Sequence, residues 1–187
     1  MTQQQASTKR KLLDAGRLLI CSHGFGGMGT TELLQTANIS RGSFYHHFGS
    51  KEGLGLQLLH ECFDDCFSGL QSLERVSSIH HFRNWLESLF ARNSRALRVI
   101  AQLNAESQSL PMCMRSELAI RNQCSIAMLS HCVETLTGRQ NHVHLIRHQA
   151  TTIYGLWLGV ILLGGCEQSS ELFEAAIVAT CDLIEPR

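Results

Sequence analysis

Apolar residues recur along this chain at three- and four-residue steps, the spacing that places side chains on one face of an α-helix. Leu12, Ala15, Gly16 and Leu19 mark a first helix from about Thr8 to His23, stopped at Gly24, with residues 1 to 7 expected as a loose polar arm. Leu33, Leu34 and Ala37 mark a short second helix, and Phe44 and Phe48, four apart, a short third one over Arg41 to Phe48. From Ser50 to about Leu73 the steps between Leu56, Leu59, Phe63, Phe67 and Leu70 run 3-4-4-3, which predicts a long helix. Ile79, Phe82, Leu86, Leu89 and Phe90 step likewise after Ser77 and Ser78, and a short helix is expected around Arg95 to Glu106. A break at Ser107 to Pro111 precedes a helix through Ile126, Leu129, Val133 and Leu136 that stops at Gly138. The last two run from about Gln140 to Gly165 and from Ser170 to Ile184. Alternating β-branched runs are absent and the prolines are Pro111 and Pro186, so the pattern predicts an all-α chain of about nine helices.

The most informative stretch is Gly29 to Lys51, two short helices joined by a tight turn with a third starting at once. That is a helix-turn-helix. Gly29 suits the start of the first of these helices, with Glu32 placed to reach back to the exposed amides as in a capping box. Asn38 tolerates the left-handed conformation of a sharp turn, Ile39 plugs the angle and Ser40 is a good N-cap. Phe44 and Phe48 face inward, which leaves Arg41, Ser43, Tyr45, His46 and His47 outward. Arginine forks two hydrogen bonds onto a guanine edge, Gly42 lets the backbone come close, and Ser, Tyr and His donate to phosphate oxygens. Ser50 caps the next helix and puts Lys51 in its first turn, where positive charge opposes the helix dipole and a phosphate partner would explain it.

NISRGSFYHHFGSKEGL, Asn38 to Leu54, with a preceding helix ending in Gly24 and Phe25 at the usual separation, resembles the TetR family of bacterial transcriptional repressors. The motif spans residues 8 to about 60; beyond it the likeness is of helix pattern and length. The resemblance implies a helix-turn-helix DNA-binding domain over residues 1–50, and a larger helical ligand-binding and dimerisation domain over 51–187. It implies a homodimer released from a double-stranded, palindromic operator by a small-molecule effector. By position it makes Arg41, Gly42 and Ser43 base-proximal, and Tyr45, His47 and Lys51 phosphate clamps, with Thr30 or Thr31 a weaker clamp. The head and the Asn104 to Leu118 stretch resemble a subgroup that senses reactive electrophiles or small unsaturated acids. Its thiol-sensing members carry a cysteine just before the central short helix, where this chain has Ser94-Arg95-Ala96, so Cys113 is the remaining candidate for that role.

Within the larger part, the Leu110 to Met114 corner is soft, polarizable and next to a bend, a reasonable wall for a ligand pocket. Trp85, Phe90, Met112, Cys113, Met128 and Trp157 are the candidate lining. Gly155 and Gly159 permit close helix approach, and Leu172, Ala176, Ala179 and Leu183 form a 4-3-4 stripe. A helix apolar on several sides is buried on several sides, which makes these six the candidate dimer interface. Gly53 and Gly55, near the start of the long helix, fit either a hinge or close packing.

Formal charge over the 187 residues is zero, but it is unevenly spread. Residues 1 to 55 hold six basic side chains (Lys9, Arg10, Lys11, Arg17, Arg41, Lys51) against three acidic ones (Asp14, Glu32, Glu52), so +3 there faces −3 in the rest. Lys9, Arg10 and Lys11, at the expected helix start, suit a nearby phosphate backbone or a solubilising tail. The eight cysteines form no C-x-x-C pair, and Cys62 and Cys66, four apart, read as small buried hydrophobes rather than metal ligands. The adjacent His80 and His81 read as surface residues. The N-terminus lacks an apolar signal region, which predicts a cytoplasmic protein with reduced thiols. Gln149 to Cys166 carries no ionised side chain over 18 residues, yet it holds four glycines and suits burial between partners better than a membrane. No nucleophile elbow, metal-ligand spacing or glycine-rich phosphate loop is present, so neither an enzyme nor a cofactor is expected. The rival readings are a DNA-binding structural or division-control protein on the same fold and a thiol-dependent enzyme using Cys113.

Overall fold

The computed structural model of the chain describes residues 3–72, 78–92, 94–139, 142–164 and 170–185; the expected helix limits at Leu73, Ser77, Gln140 and Gly165, and also Cys166 and Pro186, lie outside them. The described residues form nine α-helices and no strand: α1 (Gln3–Gly27), α2 (Thr30–Ala37), α3 (Arg41–Phe48), α4 (Lys51–Ser72), α5 (Ile79–Arg92), α6 (Ser94–Ala105), α7 (Met112–Thr137), α8 (Val143–Leu163) and α9 (Ser170–Ile184).

The first helix departs from expectation at both ends. It begins at Gln3, because Gln and Ala are good helix formers and no breaker precedes Thr8. Lys9, Arg10 and Lys11 therefore lie beyond its first turn, and the dipole no longer argues for a phosphate beside them. Arg10 instead pairs with Asp14 one turn on, at 3.0 Å. Gly24 breaks the helix with φ 73° and ψ 172°, but the chain then winds on to Gly27, so the glycine makes a kink and not a stop.

Leu12, Leu19 and Ile20 of α1, Leu33 of α2, Phe44 of α3 and Leu54 and Leu58 of α4 are buried in one continuous core. Burial of each such side chain stabilises by about 1.5–3 kcal/mol. Gly16 lets α1 lie against α4, since a Cβ there would stand 2.8 Å from Leu58 Cδ1. At Gly55 a Cβ would run into Met114 and the Phe25 ring, and at Gly53 into the Phe48 carbonyl, so close packing alone accounts for both glycines. Arg17 crosses from α1 to α4, donating from Nη1 to Asp65 Oδ2 at 2.7 Å and from Nη2 to Glu61 Oε2 at 3.2 Å. Cys62 and Cys66 lie in this core, and burial pushes the Cys62 thiol up to about 12 and the Cys66 thiol well up. Both are neutral thiols packed as small hydrophobes, while His60 on the same helix turns to Glu117 at 2.9 Å.

Beyond the first four helices, Phe82, Trp85 and Phe90 of α5 pack with Trp157 of α8 and Phe173 of α9 in an aromatic cluster. Trp157 Nε1 donates to Thr180 Oγ1 at 3.0 Å, which satisfies its polar atom in the core. A part-buried amide pair ties α6 to α7: Asn122 Nδ2 donates to Asn104 Oδ1 at 2.7 Å, and the Tyr154 hydroxyl of α8 donates to Asn122 Oδ1 at 2.7 Å. Pro111 stands at the N-cap of α7, one position outside its first turn, and Gly138 ends that helix at φ 66°. No helix among the described residues is long and apolar enough to cross a membrane.

Candidate nucleic-acid interface

The turn of the helix-turn-helix is built as its residues dictate. Asn38 takes the left-handed conformation, φ 52° and ψ 51°, and its N–H closes on Gln35 and Leu34 carbonyls. Ser40 caps α3 by accepting from the Ser43 N–H at 3.3 Å, and Ser50 caps α4 by accepting from the Gly53 N–H at 3.1 Å. The capping box expected at Gly29 does not form: Gly29 is the N-cap without a side-chain bond, and Glu32 faces His23 Nδ1 at 3.6 Å instead. Glu52, the acid beside Lys51, is held below the usual carboxylate range by its own backbone N–H and then by Ser50.

Phe44 is fully buried and Phe48 partly so, which turns the opposite face of α3 outward. Arg41, Gly42, Tyr45 and His46 are exposed there, with Ser43 and His47 half-buried at its margins. Tyr45 is 43% exposed yet not loose: its ring sits edge-on to Phe44 at 5.1 Å, and the Arg41 guanidinium lies 5.7 Å over it. Nothing lies within 4 Å of where a Gly42 Cβ would be, so the protein itself does not require glycine there. Ser43 Oγ is 3.0 Å from Ser40 Oγ, so this hydroxyl is already engaged in the helix cap. Thr31 is exposed and Thr30 half-buried at the start of α2. Lys51 has partners of its own: Nζ lies 3.4 Å from the Gly26 carbonyl and 4.7 Å from the centre of the Phe25 ring. Its position in the first turn is thus explained within the chain, and its charge stays half-exposed beside α3.

The six residues expected to line a ligand pocket are not brought together. Trp157 and Phe90 are closed in the aromatic core with Trp85 at its border, while Met112, 77% exposed, and Cys113 lie on the solvent side of the first turn of α7, which buries Met114 instead. Met128 alone of the six lines a cavity of about 490 Å³ between α4 and α7, with Phe63, Phe67, Arg121, Cys124 and Ser125 among its neighbours. Ser125 Oγ is buried there without a hydrogen-bond partner. Phe63 and Phe67 were legible as stripe residues; Ser125 carried no signal, since a serine in mid-helix ordinarily faces water.

On α8 and α9 the candidate interface divides. Gly155 is exposed and Gly159 half-buried, and neither has an atom within 4 Å of an added Cβ, so both open outward. Leu172, Ala179 and Leu183 are partly buried. Ala176 is 1% exposed and belongs to the core of the single chain, because the α9 stripe turns it toward the α5 and α8 side. Leu162, Leu163 and Val178 are exposed apolar residues on the same two helices that periodicity did not single out.

A capped helix-turn-helix that buries Phe44 and holds Arg41 and Tyr45 outward, with Lys51 half-exposed beside them, is the reading head of a DNA-binding regulator. The chain belongs to the tetR family of bacterial regulatory proteins. The family model matches residues 12–58. The HTH-type transcriptional repressor NemR of Escherichia coli K12 is 31% identical over 188 residues, 95% of this chain and 94% of that protein. The HTH-type transcriptional repressor DhaR of a Mycobacterium species is 29% identical over 59% of this chain and 57% of its own length. The crystal structure of reduced E. coli NemR superposes with a TM-score of 0.71 over 94% of this chain and 96% of that one. A TetR-family regulator from Agrobacterium tumefaciens, 20% identical, shares the fold at a TM-score of 0.79, covering 95% of this chain and 97% of its own.

Proposed function

We propose that the chain is one subunit of a homodimeric repressor, working in the cytoplasm, that holds a near-palindromic operator and releases it when a small, mostly apolar molecule enters the α4/α7 cavity. The observation that carries this reading is the continuity of α4. Its first residue is Lys51, beside the recognition helix, and Phe63 and Phe67 of the same helix wall the cavity. At 1.5 Å per residue the two ends are about 18–24 Å apart on one rigid rod. A recognition helix reads only a few base pairs, so two of them, fixed by a dimer at about 34 Å, must match the groove spacing together. A ligand that pushes α4 from α7 swings one end of the rod and spoils that match. Repression rather than activation is supported by the names of NemR and DhaR.

The ligand must prefer the released arrangement. Turning a 99:1 population to 1:99 needs about a 10⁴-fold difference in affinity, about 5.5 kcal/mol, and a cavity with an apolar wall of Phe63, Phe67 and Met128 and a polar anchor at the unpartnered Ser125 hydroxyl is suited to supply it. Met128→Trp places a larger, rigid ring in the cavity and takes up part of it. In an operator-release assay this variant is expected to bind operator normally and to ignore any compound that releases the wild type; equal response of both would refute the site.

A further inference from the structure

A second cavity, of about 520 Å³, lies in the angle between α1 and the corner where α5 passes into α6. Five arginines line it, Arg10 and Arg17 from α1 and Arg92, Arg95 and Arg98 from the corner, against two aspartates, Asp14 and Asp65. Both aspartates are already engaged, Asp14 by Arg10 at 3.0 Å and Asp65 by Arg17 at 2.7 Å. The other three guanidinium groups make no ion pair with any described residue. Arg95 and Arg98, three apart on α6, put like charges on one helix face, and Arg92 at the end of α5 lines the same cavity, an arrangement that an anion between them would favour. The start of α6 adds the positive end of its dipole at the same place. No residue of α2 or α3 lines the cavity, so it is not part of the DNA-reading face.

We propose that this cavity binds a small organic molecule bearing at least two acidic oxygens, a polycarboxylate or a phosphate ester. Guanidinium groups present paired donors that match carboxylate and phosphate oxygens alike. The volume is far larger than a bare phosphate needs, and Leu18, Ala91, Ala96 and Phe173 supply an apolar wall, which selects an anion with a carbon frame. Because one wall is α1 and the other is the α5–α6 corner, the ligand spans the first helix of the DNA-reading part and the helices behind it. The site is separate from the α4/α7 cavity and does not rest on the repressor reading.

The test uses the full chain without DNA, titrated by calorimetry with citrate in one arm and glucose 6-phosphate in the other. Saturable binding of at least one probe, at one per chain, is expected, and the tighter arm tells carboxylate from phosphate ester. Arg95→Ala with Arg98→Ala should weaken that binding by about tenfold or more, as loss of charged hydrogen bonds does. The charge-matched pair Arg139→Ala with Arg147→Ala, outside the cavity, should leave it unchanged. Circular dichroism and the melting temperature show whether each variant is folded. No saturable binding of either probe, or equal weakening by both pairs of substitutions, overturns the proposal.

Discussion

Glu106, just past the end of α6, accepts a hydrogen bond through Oε2 from the backbone N–H of Gly26 at 3.1 Å. The Gly26 carbonyl in turn lies 3.4 Å from Lys51 Nζ, so a residue behind the DNA-reading helices is linked through one glycine to the start of α4. Gln102 steadies the carboxylate by donating to Oε1 at 2.6 Å. Gly24 makes room for it: a Cβ at φ 73° would overlap the Glu106 carboxylate. Gly24→Ala should therefore destabilise by about 1–3 kcal/mol, part from the left-handed backbone and part from the displaced carboxylate. Chemical denaturation of Gly24→Ala with and without Glu106→Ala checks this. The cost should be smaller in the Glu106→Ala background, and simple additivity would show that the two do not interact.

Gly42 separates a folding role from a DNA-binding one. In the free protein an alanine there meets nothing within 4 Å and favours the helix, so Gly42→Ala should leave stability unchanged or raise it by about 0.5–1 kcal/mol. If the bare backbone is there to let DNA approach, the same variant should bind operator more weakly. Melting curves and operator titrations of one preparation should move in opposite directions.

Arg41 and Lys51 should fail differently on DNA. Arg41→Ala should cost about 1–3 kcal/mol per half-site and relax base preference, whereas Lys51→Ala should weaken all sequences alike and lower the salt slope by about 0.9 for each phosphate it no longer neutralises. Lys51→Ala should also loosen the start of α4 slightly, since the interactions of Nζ with Gly26 and Phe25 go with it. Titrations at several salt concentrations on specific and scrambled duplexes distinguish the two.

Acid should weaken the α4/α7 junction through Glu117. A hydrogen bond from Arg121, then the charges of His60 and Arg121, hold its carboxyl below the usual range. A carboxyl whose folded value is depressed contributes stability that is fully present above the unfolded value and is lost as pH falls through the folded one. Stability measured downward from the ordinary glutamate range should thus fall more steeply in the wild type than in Glu117→Gln; parallel curves would remove Glu117 as the cause.

Gly155 and Gly159 test the dimer. An added Cβ at either position meets nothing within 4 Å in the single chain, so Gly155→Leu with Gly159→Leu should keep the helical signal. If this face meets a second copy, sedimentation should move from dimer toward monomer.

The helix order and the reading head were legible because their signals are local. Phe44 against Phe48, Asn38 in the turn, and Ser40 and Ser50 as caps all act within four residues of their own position, and the structure repeats them. The cavity between α4 and α7 was not legible. Trp85, Phe90 and Trp157 have the composition of a pocket wall, but whether such rings close on each other or on a void depends on how α5, α8 and α9 meet, and here they close. Glu106 on Gly26 spans 80 positions and leaves no periodic trace. Glu32 shows the same limit from the other side: a local motif was present, and a residue nine positions earlier, His23, took its carboxylate instead.

The most direct test of operator recognition is the affinity of the purified protein for DNA from upstream of its own gene, compared with a scrambled duplex of equal length at the same salt. The predicted result is a protected, near-palindromic site with half-site centres about 34 Å apart, bound about 10³-fold or more tighter than the scrambled duplex, with that margin reduced in Arg41→Ala. Equal affinity for both duplexes, or a single short asymmetric footprint, would contradict it.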